Sequence, residues 1–172
     1  ALCGKMEEVT LTTNGLLLEE AAAPLKAAGL AGLNLSLDTL SPETYRAITG
    51  RDGLQAALAG LGAALAAGLP VKVNVVPQRG VNENELTELA ALAKEKPIQV
   101  RFIEMMPLGL GKQVPGLSGD KVKELLEAAF GPMEPVAERL GNGPARYFHA
   151  QGFSGNIGFI SAVSHRFCQN CN

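Results

Sequence analysis

Cys168-Gln169-Asn170-Cys171 has a spacing that lets two thiolates hold one metal ion or iron–sulfur cluster. The same spacing fits a redox pair. A thioredoxin-like pair, however, opens a helix near the start of its fold, and this one closes the chain. Two thiolates do not complete a four-ligand site, so Cys3, His149, His165 or ligands further downstream would have to contribute. His165, three residues before Cys168, reads as structural rather than as a ligand. With 3 cysteines, an odd number, the chain does not read as a disulfide framework.

A second group of candidates sits in short β-branched runs. In 71–76 (V-K-V-N-V-V), Lys72 and Asn74 share the face opposite Val71, Val73 and Val75. On a central strand that face is covered, and a covered lysine needs an anionic partner such as a phosphate or a carboxylate. On an edge strand the same lysine faces water. In 98–104 (I-Q-V-R-F-I-E), Gln99, Arg101 and Ile103 share one face, and Val100, Phe102 and Glu104 the other. An arginine beside Lys72 on a neighbouring inward face would make a local anion site in an acidic chain. A structural pair of Arg101 with Glu104 or another carboxylate explains the same residue. Met105-Met106 ends this run, and methionine most often fills gaps in a core.

These residues need a scaffold, and the hydrophobic periodicity supplies one. Strands are expected at 8–12, 32–37, 71–76 and 98–104, with helices at 16–28, 54–67 and 83–94 between them. Helix 16–28 would turn an apolar face of Leu16, Leu17, Leu18, Ala21, Leu25 and Ala28 inward, with a kink or break at Pro24 and Gly29 just past its end. Ser41-Pro42 opens a short helix as cap and first residue. Asn82 is expected to cap helix 83–94. Strand starts recur at intervals close to those of a βα barrel unit. The fold class is therefore α/β, an incomplete TIM-like barrel of about four βα units, too few to close. From Pro107 the pattern changes to a Gly- and Pro-rich loop, a helix from Ser118 or Asp120 to Phe130, and two or three antiparallel strands within 135–149 and 155–164. Phe148, Phe153, Phe159 and Phe167 would pack them. The expected division is 1–107, partial barrel, and 108–172, an α+β appendage covering it.

Ligands of parallel α/β folds bind at the C-terminal ends of strands. Those ends are Thr12-Thr13-Asn14-Gly15, Ser36-Leu37-Asp38, Gln78-Arg79-Gly80 and Glu104-Met105-Met106-Pro107. Turn chemistry competes there, since Asn-Gly is a turn dipeptide and Asp38 and Ser41 are cap residues.

The composition is globular, with 47% hydrophobic and 19% charged residues in 172. A net charge of −2 argues against a broad nucleic-acid face. The longest apolar stretch, 54–70, is rich in alanine and glycine and falls short of a membrane span. Lys5, Glu7 and Glu8 interrupt any apolar leader, so a cytoplasmic location is expected. The chain opens without methionine just before a strand and stops after the Cys pair, so both ends read as cut.

Taken in order, L-T-T-N-G, N-L-S-L-D, V-K-V-N-V-V, R-F-I-E-M-M-P and S-H-R-F-C-Q-N-C-N resemble the radical S-adenosylmethionine (SAM) GTP 3′,8-cyclases of molybdenum-cofactor biosynthesis, from about Val9 to Asn172. The resemblance implies that Thr12 and Lys72 contact GTP. It implies that Ser36, Met106 and Arg101 contact SAM, with Met106 against the adenine. Cys168 and Cys171 match two of three ligands of a C-terminal 4Fe-4S cluster whose open iron meets the guanine. In such enzymes an N-terminal 4Fe-4S cluster cleaves SAM to a deoxyadenosyl radical, which takes hydrogen from C3′ of GTP before closure onto C8.

The 172 residues contain no Cys-x-x-x-Cys-x-x-Cys, no Gly-Gly-Glu-Pro, no third C-terminal cysteine and no arginines after Cys171. By itself the chain is therefore expected to be catalytically inactive, with no catalytic residue of its own. Its expected ligands are GTP and SAM, with no membrane or nucleic-acid partner. A second copy, as a homodimer, is one candidate cover for an open parallel edge. Other readings are another radical SAM enzyme with a C-terminal cluster, such as a peptide-modifying one, a zinc module on Cys168 and Cys171, or an inert α/β scaffold.

Overall fold

The computed structural model describes residues 7–165 apart from 113, 139 and 142. Cys3, Phe167, Cys168 and Cys171 lie outside the described residues. The described chain is mixed α/β, with seven strands and five α-helices. It forms two compact units, Ala1–Asn74 and Val75–Asn172.

The first unit carries β1 (Thr10–Thr13), α1 (Leu18–Ala27), β2 (Gly32–Ser36), α2 (Pro42–Thr49), α3 (Leu54–Ala66) and all but the last residue of β3 (Val71–Val75). The strands run parallel in the order β1-β2-β3. One face is apolar, with Leu33, Leu35, Val71 and Val73 buried. It packs toward α1 and α3, and these two helices meet closely. A methyl group added to Gly60 of α3 would fall 2.8 Å from Leu18 Cβ and nearer still to the carbonyl oxygen of Gly15. Glycine at 60 is what lets the helix approach that backbone.

Local chemistry sets the ends of these elements. Ser41 accepts a hydrogen bond from the Thr44 amide at 3.3 Å, and Pro42 opens α2, as expected. Gly29, just past α1, takes the left-handed conformation at φ 90°. The helix runs through Pro24 without a break, with Pro24 exposed. The inward face of α1 differs from the expected one. The buried positions are Leu18 and Ala22, while Leu17 is 82% exposed. The helix begins later than the periodicity suggested, which shifts the inward face.

The second unit begins with a 3₁₀ turn, Glu83–Glu85, leading into α4 (Leu86–Glu95), and continues through β4 (Gln99–Ile103), α5 (Gly119–Phe130), β5 (Met133–Pro135), β6 (Arg146–Ala150) and β7 (Asn156–Ile160). Its strand order is β4-β7-β6-β5, with β7 parallel to β4 and the two outer pairings antiparallel. The late antiparallel strands are as expected, but β7 hydrogen-bonds directly to β4. The core joins Leu86 and Leu89 of α4, Leu126 of α5, Val100 and Phe102 of β4, and Ile157 and Phe159 of β7. Phe102 and Phe159 stack at 6.1 Å, and Phe148 meets Phe159 edge-on at 5.7 Å. Phe153 packs edge-on against Phe130 at 5.2 Å.

Asn82 is not the helix cap that its position suggested. Its side chain is fully buried, accepts from the Gln78 amide at 2.7 Å and donates to the Val76 carbonyl at 3.0 Å. The loop after β3 uses the amide to satisfy its own backbone, which a cap could not do at the same time. Among the described residues no helix is long and apolar enough to cross a membrane.

Candidate functional site

The face of β1–β3 opposite the helices is polar throughout. Register places Thr12 beside Asn34 and Asn34 beside Lys72, one row across three strands. One residue pair further along, Ser36 lies beside Asn74. With neighbouring strands about 4.8 Å apart, the first row spans about 10 Å. Asn34 Nδ2 donates to Thr12 Oγ1 at 3.4 Å. Thr12 and Ser36 are exposed, and Asn34, Lys72 and Asn74 are half-buried. Parallel strands are ordinarily apolar on both faces because both are covered. A hydroxyl, an amide and an ammonium in one row on such strands suit a polar, anionic ligand.

Sequence reasoning singled out Thr12, Ser36 and Lys72, and the register brings them onto this one face. It missed Asn34. The signal was present, since Asn34 and Ser36 alternate with Leu33 and Leu35 just as Lys72 and Asn74 alternate with the valines. The residues around Thr12 do turn chemistry instead. Thr13 Oγ1 accepts from the Gly15 amide at 3.1 Å, and Asn14 Oδ1 from the Leu16 amide at 3.2 Å.

In the second unit, Arg101 is 9% exposed on β4, directly across from Gly158 of β7. A side chain at Gly158 would collide with the Tyr147 ring at 2.8 Å and approach Arg101 Cγ at 3.1 Å. Tyr147 of β6 therefore lies over Gly158 toward Arg101. Burial pushes the Tyr147 phenol above its ordinary pKa, and the Arg101 guanidinium partly offsets this. The Tyr147 hydroxyl and Gln99 Oε1 are buried without a well-aligned hydrogen bond. Tyr147 had no sequence signal, because its place beside Arg101 depends on β7 pairing between β4 and β6.

Glu104, just past β4, is 9% exposed. Its Oε2 accepts from the amides of Val163 and Ser164, each at 2.8 Å, and from Ser164 Oγ at 3.2 Å. It thus anchors the turn that leads toward Cys168 and Cys171. Met106 follows and is 51% exposed, so it is not the core filler its residue type suggested. Among the described residues, no group of three or more His, Cys, Asp or Glu side chains could hold a metal ion. His165 Nε2 lies 3.1 Å from Asp120 Oδ2 and His149 Nδ1 lies 3.0 Å from Asn156 Oδ1, so both histidines have structural partners.

Comparison with known proteins matches two families. Residues 1–93 match the Radical SAM superfamily, and residues 98–172 match the family described as Molybdenum Cofactor Synthesis C. A protein of Moorella thermoacetica named GTP 3′,8-cyclase is 44% identical over 170 residues, covering 97% of this chain and 52% of the relative. The GTP 3′,8-cyclase of Heliobacterium modesticaldum is 47% identical over 175 residues, covering 97% and 52%. That of Petrotoga mobilis is 44% identical over 172 residues, covering 98% and 53%. The chain spans about half the length of these curated relatives. A match over more than half of the chain establishes that the chain belongs to the radical SAM superfamily.

Proposed function

We propose that this chain forms the substrate-holding half of a GTP 3′,8-cyclase of molybdenum-cofactor biosynthesis. The observation that carries the reading is the row Thr12–Asn34–Lys72 on parallel strands, taken with the relatives' shared name. The parallel units are read as an arc of a βα barrel with this row on the interior. Lys72 holds a phosphate of GTP by charge, and Thr12, oriented by Asn34, gives the nucleotide a hydroxyl partner. Ser36 is assigned to SAM at the end of β2. Arg101 and Met106 are assigned to SAM on the sequence match, and Cys168 and Cys171 to a C-terminal 4Fe-4S cluster.

SAM with an iron–sulfur cluster supplies one-electron hydrogen-abstraction chemistry in this superfamily. The chain's own part is to bind GTP, fix its orientation and limit water around the reacting ribose. The donor set of the row fits a phosphorylated, polar ligand. The stretch after residue 107 is read as the lead into the second cluster. Because the 172 residues include no Cys-x-x-x-Cys-x-x-Cys, the chain alone is expected to bind but not to react.

Calorimetric titration of GTP into the chain tests the reading. Lys72→Ala is expected to weaken binding at least about tenfold, the loss of one charge-assisted contact. Lys94→Ala, on an exposed helix end, is expected to leave binding unchanged. Equal affinity in wild type and Lys72→Ala would remove GTP as the ligand of this face. Cyclised GTP formed anaerobically by the chain alone would overturn the expected inactivity.

A further inference from the structure

Strands β4, β7 and β6 set Arg101, Gly158 and Tyr147 in one row, since Arg101 pairs with Gly158 and Gly158 with Tyr147. Cross-strand partners point to the same face of a sheet, so the arginine and the tyrosine flank a position that has no side chain. A Cβ at 158 would lie 2.8 Å from Tyr147 Cε1 and 3.1 Å from Arg101 Cγ. Gly158 is thus the gap into which the ring and the arginine stem lean from either side. Both side chains are buried.

A buried guanidinium needs partners that fix its plane. Glu104, the carboxylate nearest in sequence, is used elsewhere, since its Oε2 accepts from the Val163 and Ser164 amides. The Tyr147 phenol lies beside the guanidinium instead. Burial raises the phenol's pKa, and the guanidinium opposes this through its charge and as a hydrogen-bond donor. At neutral pH the phenol therefore keeps its proton and offers Arg101 an oxygen, not a counter-charge. A carboxylate in that place would neutralise the arginine. A neutral phenol orients it and leaves its positive charge for a ligand. SAM carries a carboxylate that such a charge can hold.

We propose that Tyr147 is a positioning residue, which holds the Arg101 guanidinium in the orientation that meets SAM, with Gly158 keeping the space between them open. Tyr147 acts here only through Arg101, and its role rests on the reading of Arg101 as a SAM contact.

Two measurements on the whole chain test this. In the ¹⁵N spectrum, the Arg101 Nε–Hε signal is identified by its loss in Arg101→Lys. Tyr147→Phe keeps the ring and removes the oxygen, and it is expected to shift this signal and speed its exchange with water at least about tenfold. A signal that Tyr147→Phe leaves in place overturns the proposal. SAM is then titrated into the wild type, Tyr147→Phe, Arg101→Ala and the double variant. Arg101→Ala is expected to raise the dissociation constant at least about tenfold, and Tyr147→Phe about fivefold. The double variant should bind as Arg101→Ala does, because the phenol acts through the arginine. Equal weakening by Tyr147→Phe in both backgrounds would mark a general structural residue and overturns the role. A loss in Arg101→Ala with none in Tyr147→Phe overturns it too, while keeping Arg101 as a SAM contact. Unchanged affinity in Arg101→Ala removes Arg101 from SAM, and the role of Tyr147 falls with that reading.

Discussion

Tyr147 and Asn82 are two buried polar side chains in opposite circumstances. Tyr147 brings a buried hydroxyl into the second unit beside the Arg101 guanidinium. Tyr147→Phe removes the titrating phenol while keeping the ring that lies over Gly158. Its titration has a definite sign. Burial raises the folded-state pKa above the ordinary 10.0, so the folded protein holds the phenolic proton more tightly than the unfolded chain. The linked stability is fully present below about pH 10 and is lost as pH rises through the folded value. Unfolding curves above pH 10 should thus fall more steeply for wild type than for Tyr147→Phe. Asn82 has the reverse role, since its amide satisfies the Gln78 amide and the Val76 carbonyl from a fully buried position. Asn82→Ala is expected to cost about 2 kcal/mol or more, read as a lower midpoint with an unchanged denaturant slope.

Helix α3 contains two glycines that the sequence does not distinguish, and packing gives them opposite signs. Gly60 abuts Gly15 and Leu18, whereas a methyl group at Gly62 would meet nothing within 4 Å. Gly60→Ala should destabilise by about 1–3 kcal/mol through overpacking against backbone. Gly62→Ala should stabilise by up to about 1 kcal/mol through helix propensity. Paired thermal melts of the two variants check both signs at once. The last turn of α5 responds to acid. Glu127 is held below its ordinary pKa of 4.5 by its hydrogen bond to Lys123, partial burial opposing this and the Met133 amide and the Lys123 charge adding to it. The stability contributed by this lowered pKa is present above about pH 4.5 and is lost as pH falls through the lower folded value. A Glu127→Gln variant should show a flatter loss of stability across that acid range.

At the scale of the whole molecule, the chain joins a parallel βα unit with a polar row to a mixed unit in which β7 pairs with β4. Glu104 then tethers the turn at 163–164 to the end of β4. Glu104→Ala should release that turn without unfolding the unit. Amide hydrogen exchange of Val163 and Ser164 is expected to accelerate at least about tenfold, while Val100 and Phe102 stay protected. Uniform acceleration across β4 would instead make Glu104 a general stability residue.

By itself the sequence determined the elements whose causes are local. The alternation of valine with Lys72 and Asn74 specified β3 and its two faces, Ser41-Pro42 specified the start of α2, and the ordered motifs pointed to the superfamily. What the tertiary structure alone decided depends on neighbours distant in the chain. Asn34 joins Thr12 and Lys72 through strand register, Asn82 serves a loop instead of a cap, and Leu17 faces outward because α1 starts late. β7 lies against β4, which brings Tyr147 to Arg101 and leaves Ser161 buried behind Gly119. A residue's type limits which bonds it can make, but its partner is chosen by packing, and packing is a property of the folded chain as a whole.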